Sequence, residues 1–208
     1  MRRRLQAVKP QLRFLWALRV LPPRIALFQW RAMRLALRIG DEFTVASATR
    51  PDNLRALLRA ARGCRHTVEL GTGTAWTSIS LLLADKQRRM VSYDQFEHPQ
   101  REQYLRLAGA GVSRRLRFVT APGEQGPCED RIVDLLYIDS SHTREDTIRE
   151  VEAWRPALGP RAVIVFDDYD HPDYPGVREA VAELALDGER RAHLFVVAAT
   201  SGRAAKPA

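Results

Sequence analysis

The chain alternates short apolar runs with stretches in which apolar residues recur every three or four positions, the pattern of buried strands between helices. From Thr67 onward this predicts strands at 67–70, 90–93, 116–119, 133–138, 162–167 and 194–199. Helices are predicted at 75–84, 99–108, 143–155 and 176–186. Such alternation defines an α/β fold, a doubly wound and mostly parallel sheet. After the third strand, Pro122-Gly123 and Gly126-Pro127 mark a loop in place of a full helix. Upstream, Thr49-Arg50-Pro51-Asp52 opens a helix that carries Leu54, Leu57, Leu58 and Ala61, and Gly63 ends it.

Two more amphipathic helices are written in the first forty residues. Leu5, Val8, Leu12 and Leu15 give one apolar stripe. After Pro22-Pro23, the residues Ile25, Phe28, Ala32, Leu35 and Ile39 give another, with Arg24, Arg31 and Arg38 on a different side and Arg34 adjoining. The expected organisation is an N-terminal basic helical arm over 1–48, the main domain over 49–200 and a polar tail over 201–208.

Charge separates these parts. The 208 residues carry a formal charge of +8, yet residues 1–40 hold ten Lys or Arg and no acid, which leaves 23 basic against 25 acidic residues elsewhere. The basic character belongs to the arm. Either its apolar stripe packs on the domain with the arginines in water, or the arm lies on an anionic membrane surface. Nucleic acid is not the expected partner, and oligomeric state is left open. No apolar run reaches the ~20 residues of a spanning helix, and Cys64 and Cys128 lack metal-type spacing, so a reduced, cytoplasmic setting is expected.

The candidate chemistry gathers at strand ends. Thr67-Val68-Glu69-Leu70 runs into Gly71-Thr72-Gly73-Thr74-Ala75-Trp76, a tight strand-to-helix turn of the kind that receives a ligand. A dinucleotide fingerprint needs a third glycine, but Ala75 and Trp76 follow, and Glu69 would repel a pyrophosphate while attracting a cationic ligand end. A nicotinamide-dependent oxidoreductase is therefore disfavoured. Asp94 ends the second strand, where a carboxylate can accept ribose hydroxyls. Asp139 and His142 follow the fourth strand, and Asp167-Asp168 the fifth. If those strands are neighbours, three carboxylates emerge together, which calls for a cation or a proton. A hard divalent ion such as Mg²⁺ suits oxygen donors of this kind. The plainer readings are a loop histidine before a helix capped by Thr143, and acids that merely open turns.

Glu69-Leu70-Gly71-Thr72-Gly73, with Asp94 and Asp139, resembles the class I S-adenosylmethionine-dependent methyltransferases, over about residues 51–197. The resemblance implies that Glu69, Gly71, Thr72, Gly73 and Ala75 form the turn against the amino acid part of the cofactor, that Asp94 holds the ribose, and that Asp139 lies beside the cofactor. The strand-end acids resemble those of metal-dependent O-methyltransferases acting on sugars of macrolide and aminocoumarin antibiotics. That implies Asp139, Asp167 and Asp168 as ligands to Mg²⁺ and a small-molecule or glycan hydroxyl as acceptor. Ile138-Asp139-Ser140-Ser141-His142 is similar to the Asp-Gly-Asp-His segment of the wider group, but Ser141 stands where the second acid would be. His142 is then the expected catalytic base. A non-enzymatic adaptor led by the arm is the rival class.

Overall fold

The computed structural model describes Phe14 and residues 16–198. The glycine turn follows β1 (His66–Leu70), a strand buried along nearly its whole length. β1 pairs in parallel with β2 (Arg89–Asp94) on one side and β4 (Val133–Ile138) on the other. β3 (Leu116–Thr120) lies beyond β2 and β5 (Leu158–Phe166) beyond β4, both parallel. Two antiparallel strands complete the sheet: β7 (Leu194–Ala198) against β5, and the short edge strand β6 (Glu189–Arg191) against β7. The order β3-β2-β1-β4-β5-β7-β6 is the doubly wound sheet expected, and it reverses direction between β1 and β4.

Alternation along the strands feeds two cores. Leu135 and Tyr137 of β4 face one, Leu136 and Ile138 the other. The first core lies under α1 (Pro23–Ile39), α3 (Pro51–Ala60), α4 (Trp76–Ala84), α5 (Arg101–Ala108) and the short α6 (Ala110–Ser113). The second is covered by α7 (Arg144–Trp154) and α8 (Pro175–Glu183) through Val151, Trp154, Val177 and Val181. Between β3 and β4 only a single 3-10 turn, Gly123–Gln125, appears, as the paired glycines and prolines predict.

The helix α1 behaves as its stripe predicts up to a point. Ile25, Phe28, Ala32 and Leu35 are buried, Arg24, Arg31, Arg34 and Arg38 are exposed, and Gly40 ends the helix in the left-handed conformation. Ile39, expected in the stripe, is 38% exposed. Phe28, Ala32, Leu35 and Ala36 belong to the same core as α4, and Gln29 donates to Ser80 Oγ at 3.0 Å in the buried interface. By these contacts α1, which falls inside the arm expected over 1–48, packs on α4. The other arm helix, carried by Leu5, Val8, Leu12 and Leu15, lies outside the described residues, as does the tail.

One helix was not expected. α2 (Glu42–Ser47) is capped by Asp41, which accepts from the Thr44 backbone N–H at 3.1 Å. The same carboxylate accepts from Thr44 Oγ1 at 2.5 Å and from Tyr104 Oη at 2.6 Å, so it ties α2 to α5. Those bonds outweigh the cost of burial and hold the Asp41 pKa below its usual value.

Candidate active site

A crevice of about 910 Å³ opens over the carboxyl ends of β1, β2, β4 and β5. At one end is the glycine turn. Gly71 and Gly73 both have positive φ, 86° and 51°, and Ala75 at 70° begins α4. A Cβ on Gly71 would overlap the Asp139 carbonyl, so this glycine is required by contact between two strand ends. The Tyr93 carbonyl accepts from Gly71 N, Thr72 N and Thr72 Oγ1 at 2.9, 3.1 and 2.9 Å, which fixes the turn on the end of β2.

Asp94 lies beside this turn, its Oδ2 accepting from Gly73 N at 2.6 Å and its Oδ1 from Phe96 N at 2.9 Å. Arg101 backs it, donating to the Gly73 carbonyl through Nε and Nη2 at 3.0 and 2.7 Å and standing 3.5 Å from Asp94 Oδ2. Phe43 of α2 stacks on His98 with ring centroids 4.9 Å apart and meets the open side of Gly73. Phe43 and Phe96 are 51% and 69% exposed at the mouth.

Two of the expected cofactor residues stand elsewhere. Glu69 is 1% exposed and does not line the crevice: it accepts from the Ser78 hydroxyl and, at 3.2 Å, from Ser92 Oγ. Burial, with the nearby Asp139 adding, pushes its pKa up to about 8 against those hydroxyl bonds. Through these two serines it links β1, β2 and α4. Ala75, fully buried, likewise supports the turn from below.

At the other end of the crevice Asp139, His142, Asp167 and Asp168 come together, as neighbouring β4 and β5 require. His142 Nε2 lies 3.4 Å from Asp139 Oδ1 and 3.5 Å from Asp168 Oδ2, and its ring stacks on Tyr174 with centroids 4.7 Å apart. His142 and Asp168 both hold left-handed backbone conformations, with φ of 59° and 51°. Gly176 lets α8 approach, since a Cβ there would sit 2.7 Å from the His142 carbonyl. Burial works against a charged His142 ring, but its contact with Asp139 and the charges of Asp139, Asp168 and Asp167 outweigh it, so its pKa is raised. Burial raises the Asp139 pKa against the opposing pull of His142.

The third acid is committed. Asp167 Oδ1 accepts from Asn53 Nδ2 at 3.0 Å and from Asp168 N at 2.9 Å, while Oδ2 accepts from Tyr137 Oη at 2.6 Å. Tyr137 Oη also stands 3.2 Å from Asp139 Oδ2. Burial first, then Asp139, raises the Asp167 pKa. Of the magnesium set expected, Asp167 fits least, because both its oxygens already accept from donors, while Asp139 and Asp168 flank the imidazole at 3.4 and 3.5 Å. Among the described residues no group of three or more His, Cys, Asp or Glu side chains is arranged to hold a metal ion.

Asn53, Tyr137 and Tyr174 escaped the sequence reading, as did a pair formed by His193 Nδ1 and Asp170 Oδ1 at 2.7 Å. Tyr137 had a signal, because it precedes Asp139 by two on a strand and so shares its face. Asn53 joins the far ends of the chain, its Oδ1 accepting from His193 N at 3.1 Å, and nothing local marks it.

Residues 68–169, just under half of the chain, match the family model described as a methyltransferase domain. With the strand order and the glycine turn, the match supports a methyltransferase-like fold. Among solved structures, CalS11, a TDP-rhamnose 3'-O-methyltransferase of calicheamicin biosynthesis, superposes with a TM-score of 0.56 at 20% identity, over 70% of this chain and 76% of its own. TomG from Streptomyces achromogenes, an O-methyltransferase of tomaymycin synthesis solved with S-adenosylmethionine, gives 0.52 at 20% identity, over 73% and 82%. An S-adenosylmethionine-dependent O-methyltransferase of Thermotoga maritima gives 0.54 at 13% identity, over 76% and 68%. In sequence, 85 residues are 41% identical to the uncharacterized protein y4gI of Sinorhizobium fredii, covering 40% of this chain and 9% of that protein's length. Among the described residues no helix is long and apolar enough to cross a membrane.

Proposed function

We propose that the protein transfers a methyl group from S-adenosylmethionine to the hydroxyl oxygen of a small molecule or glycan. The observation that carries this is one crevice joining the Gly71–Thr74 turn and Asp94 at one end to the Asp139–His142 pair at the other. Gly71, Thr72 and Gly73 would receive the amino acid part of the cofactor, Asp94 the ribose, and the exposed rings of Phe43 and Phe96 would meet its aromatic base. S-adenosylmethionine supplies an activated methyl group on a sulfonium. The chain supplies position and a proton acceptor.

In its neutral form His142 would take the acceptor's proton, and the Asp139 and Asp168 carboxylates beside its buried Nε2 would stabilise the imidazolium that results. Tyr137 and Asn53 hold Asp167 behind that pair. No step is assigned to Mg²⁺, since Asp167 already accepts from Asn53, Tyr137 and the Asp168 backbone.

The test is calorimetric titration with S-adenosylmethionine, followed by turnover with labelled cofactor and candidate hydroxyl acceptors, with and without excess chelator. Asp94→Ala is expected to weaken cofactor binding, since hydrogen bonds to a charged group contribute about 1.5–3 kcal/mol. Turnover is expected to survive chelation. Unchanged affinity in folded Asp94→Ala would remove the ribose assignment. Loss of turnover on chelation, restored by Mg²⁺, would show the acids regrouping around an ion.

A further inference from the structure

Because no helix follows β3, the sheet face over β1, β2 and β3 is roofed at its amino-terminal end by the loop 121–132 alone. A second cavity of about 210 Å³ lies there. Register places His66 beside Arg89, and Val68 beside Val91 beside Arg117, all on one face. Val68, Val91, Tyr93 and Trp154 make an apolar floor, with the Tyr93 and Trp154 rings edge to face at 5.2 Å. Tyr93 Oη accepts from Cys128 N at 2.8 Å, which pins the roof above the floor.

The rim is strongly cationic. Five arginines line the cavity and Glu129 is its single acid, 2.5 Å from Arg117 Nη1 and 3.6 Å from Arg131 Nε. Arg115 is spent on backbone carbonyls, but Arg89 and Arg114 are exposed, and Arg131 Nη1 approaches His66 Nε2 at 3.3 Å. Like charges on adjacent strands repel, and guanidinium groups over an apolar floor suit an anion with an apolar body.

We infer that this cavity binds a small organic anion, a carboxylate or phosphate ester with one ring or a short chain, at a site separate from the methyl-transfer crevice. The inference is independent of the reaction proposed above.

Cys128 on the rim is exposed and Cys64 is buried, so the full chain carries its own reporter. Iodoacetamide, which is uncharged, should alkylate Cys128, and phenyl phosphate should slow this several-fold. Inorganic phosphate and benzyl alcohol, which each carry half of the chemistry, should not. Arg89→Glu and Arg131→Glu, both at exposed side chains, should each abolish protection with the melting temperature unchanged. Failure of phenyl phosphate to protect, equal protection by inorganic phosphate, or protection that survives both substitutions would overturn the site. Should one variant melt early, the other decides.

Discussion

At the scale of single residues, the two carboxylates that look alike in sequence do opposite things. Glu69 was legible as an acid before a glycine turn, but no pattern tells an acid facing a ligand from one turned into the sheet. Its contact with Ser78, nine residues on, decides the matter. With its pKa pushed up to about 8 in the fold, against about 4.3 in the unfolded chain, it should make folding stability fall as pH rises between those values. Glu69→Gln keeps an acceptor for the two hydroxyls without the charge. Urea unfolding at several pH values should show it losing less stability than wild type from pH 5 to pH 8; parallel pH profiles would show that Glu69 is ionised in the fold. His142 is the complementary case, a titrating group whose raised pKa favours the charged form. As a base it acts when neutral, so turnover should rise with pH through a value above the ordinary ~6.5 of histidine. Asp168→Asn should move that limb to lower pH, and His142→Ala should lower turnover by about 10²–10⁴-fold. A wild-type rate at neutral pH in His142→Ala would remove the base.

At the scale of elements, the regular periods were readable and the exceptions have physical causes. β4 matched its apolar run residue for residue, because burial on both faces leaves no ambiguity about its length. β6 was invisible, since its three exposed charged residues form a strand only by pairing with β7. α2 was missed because six residues give too little period to see and its stability comes from Asp41 and Tyr104, whose partnership spans 63 positions. That partnership links an element to the site. Thr44 Oγ1, its own hydrogen given to Asp41, is hydrogen-bonded to the Thr74 hydroxyl at 2.9 Å, and Phe43 meets Gly73, so α2 forms one wall of the crevice at the glycine turn. Asp41→Ala removes the cap and leaves the buried Tyr104 hydroxyl unpaired. The expected loss is about 1–3 kcal/mol of stability together with weaker cofactor binding, read by thermal melting and calorimetry. A variant that melts earlier yet binds cofactor as before would separate α2 from the site.

At the scale of the whole molecule, the uneven charge of the chain suggested an arm distinct from an enzyme body, and the fold divides it differently. The stripe and the arginines lie on one helix but belong to different parts of the physics. Phe28, Ala32, Leu35 and Ala36 close the core beneath α4, where burying a large side chain such as Phe28 or Leu35 contributes about 1.5–3 kcal/mol. Arg24, Arg31, Arg34 and Arg38 point to water, where surface substitutions usually cost less than about 0.5 kcal/mol. Sequence could show the stripe but not what it packs on, because core partners more than forty residues apart leave no local mark. Removing residues 1–40 should therefore abolish the cooperative thermal transition and expose apolar surface to a hydrophobic dye. Replacing Arg31, Arg34 and Arg38 together with glutamate should leave both the transition and turnover on a soluble acceptor close to wild type. If instead the truncated chain melts cooperatively near the wild-type temperature, α1 is a detachable arm after all, and the boundary belongs near residue 48, where the charge pattern first suggested it.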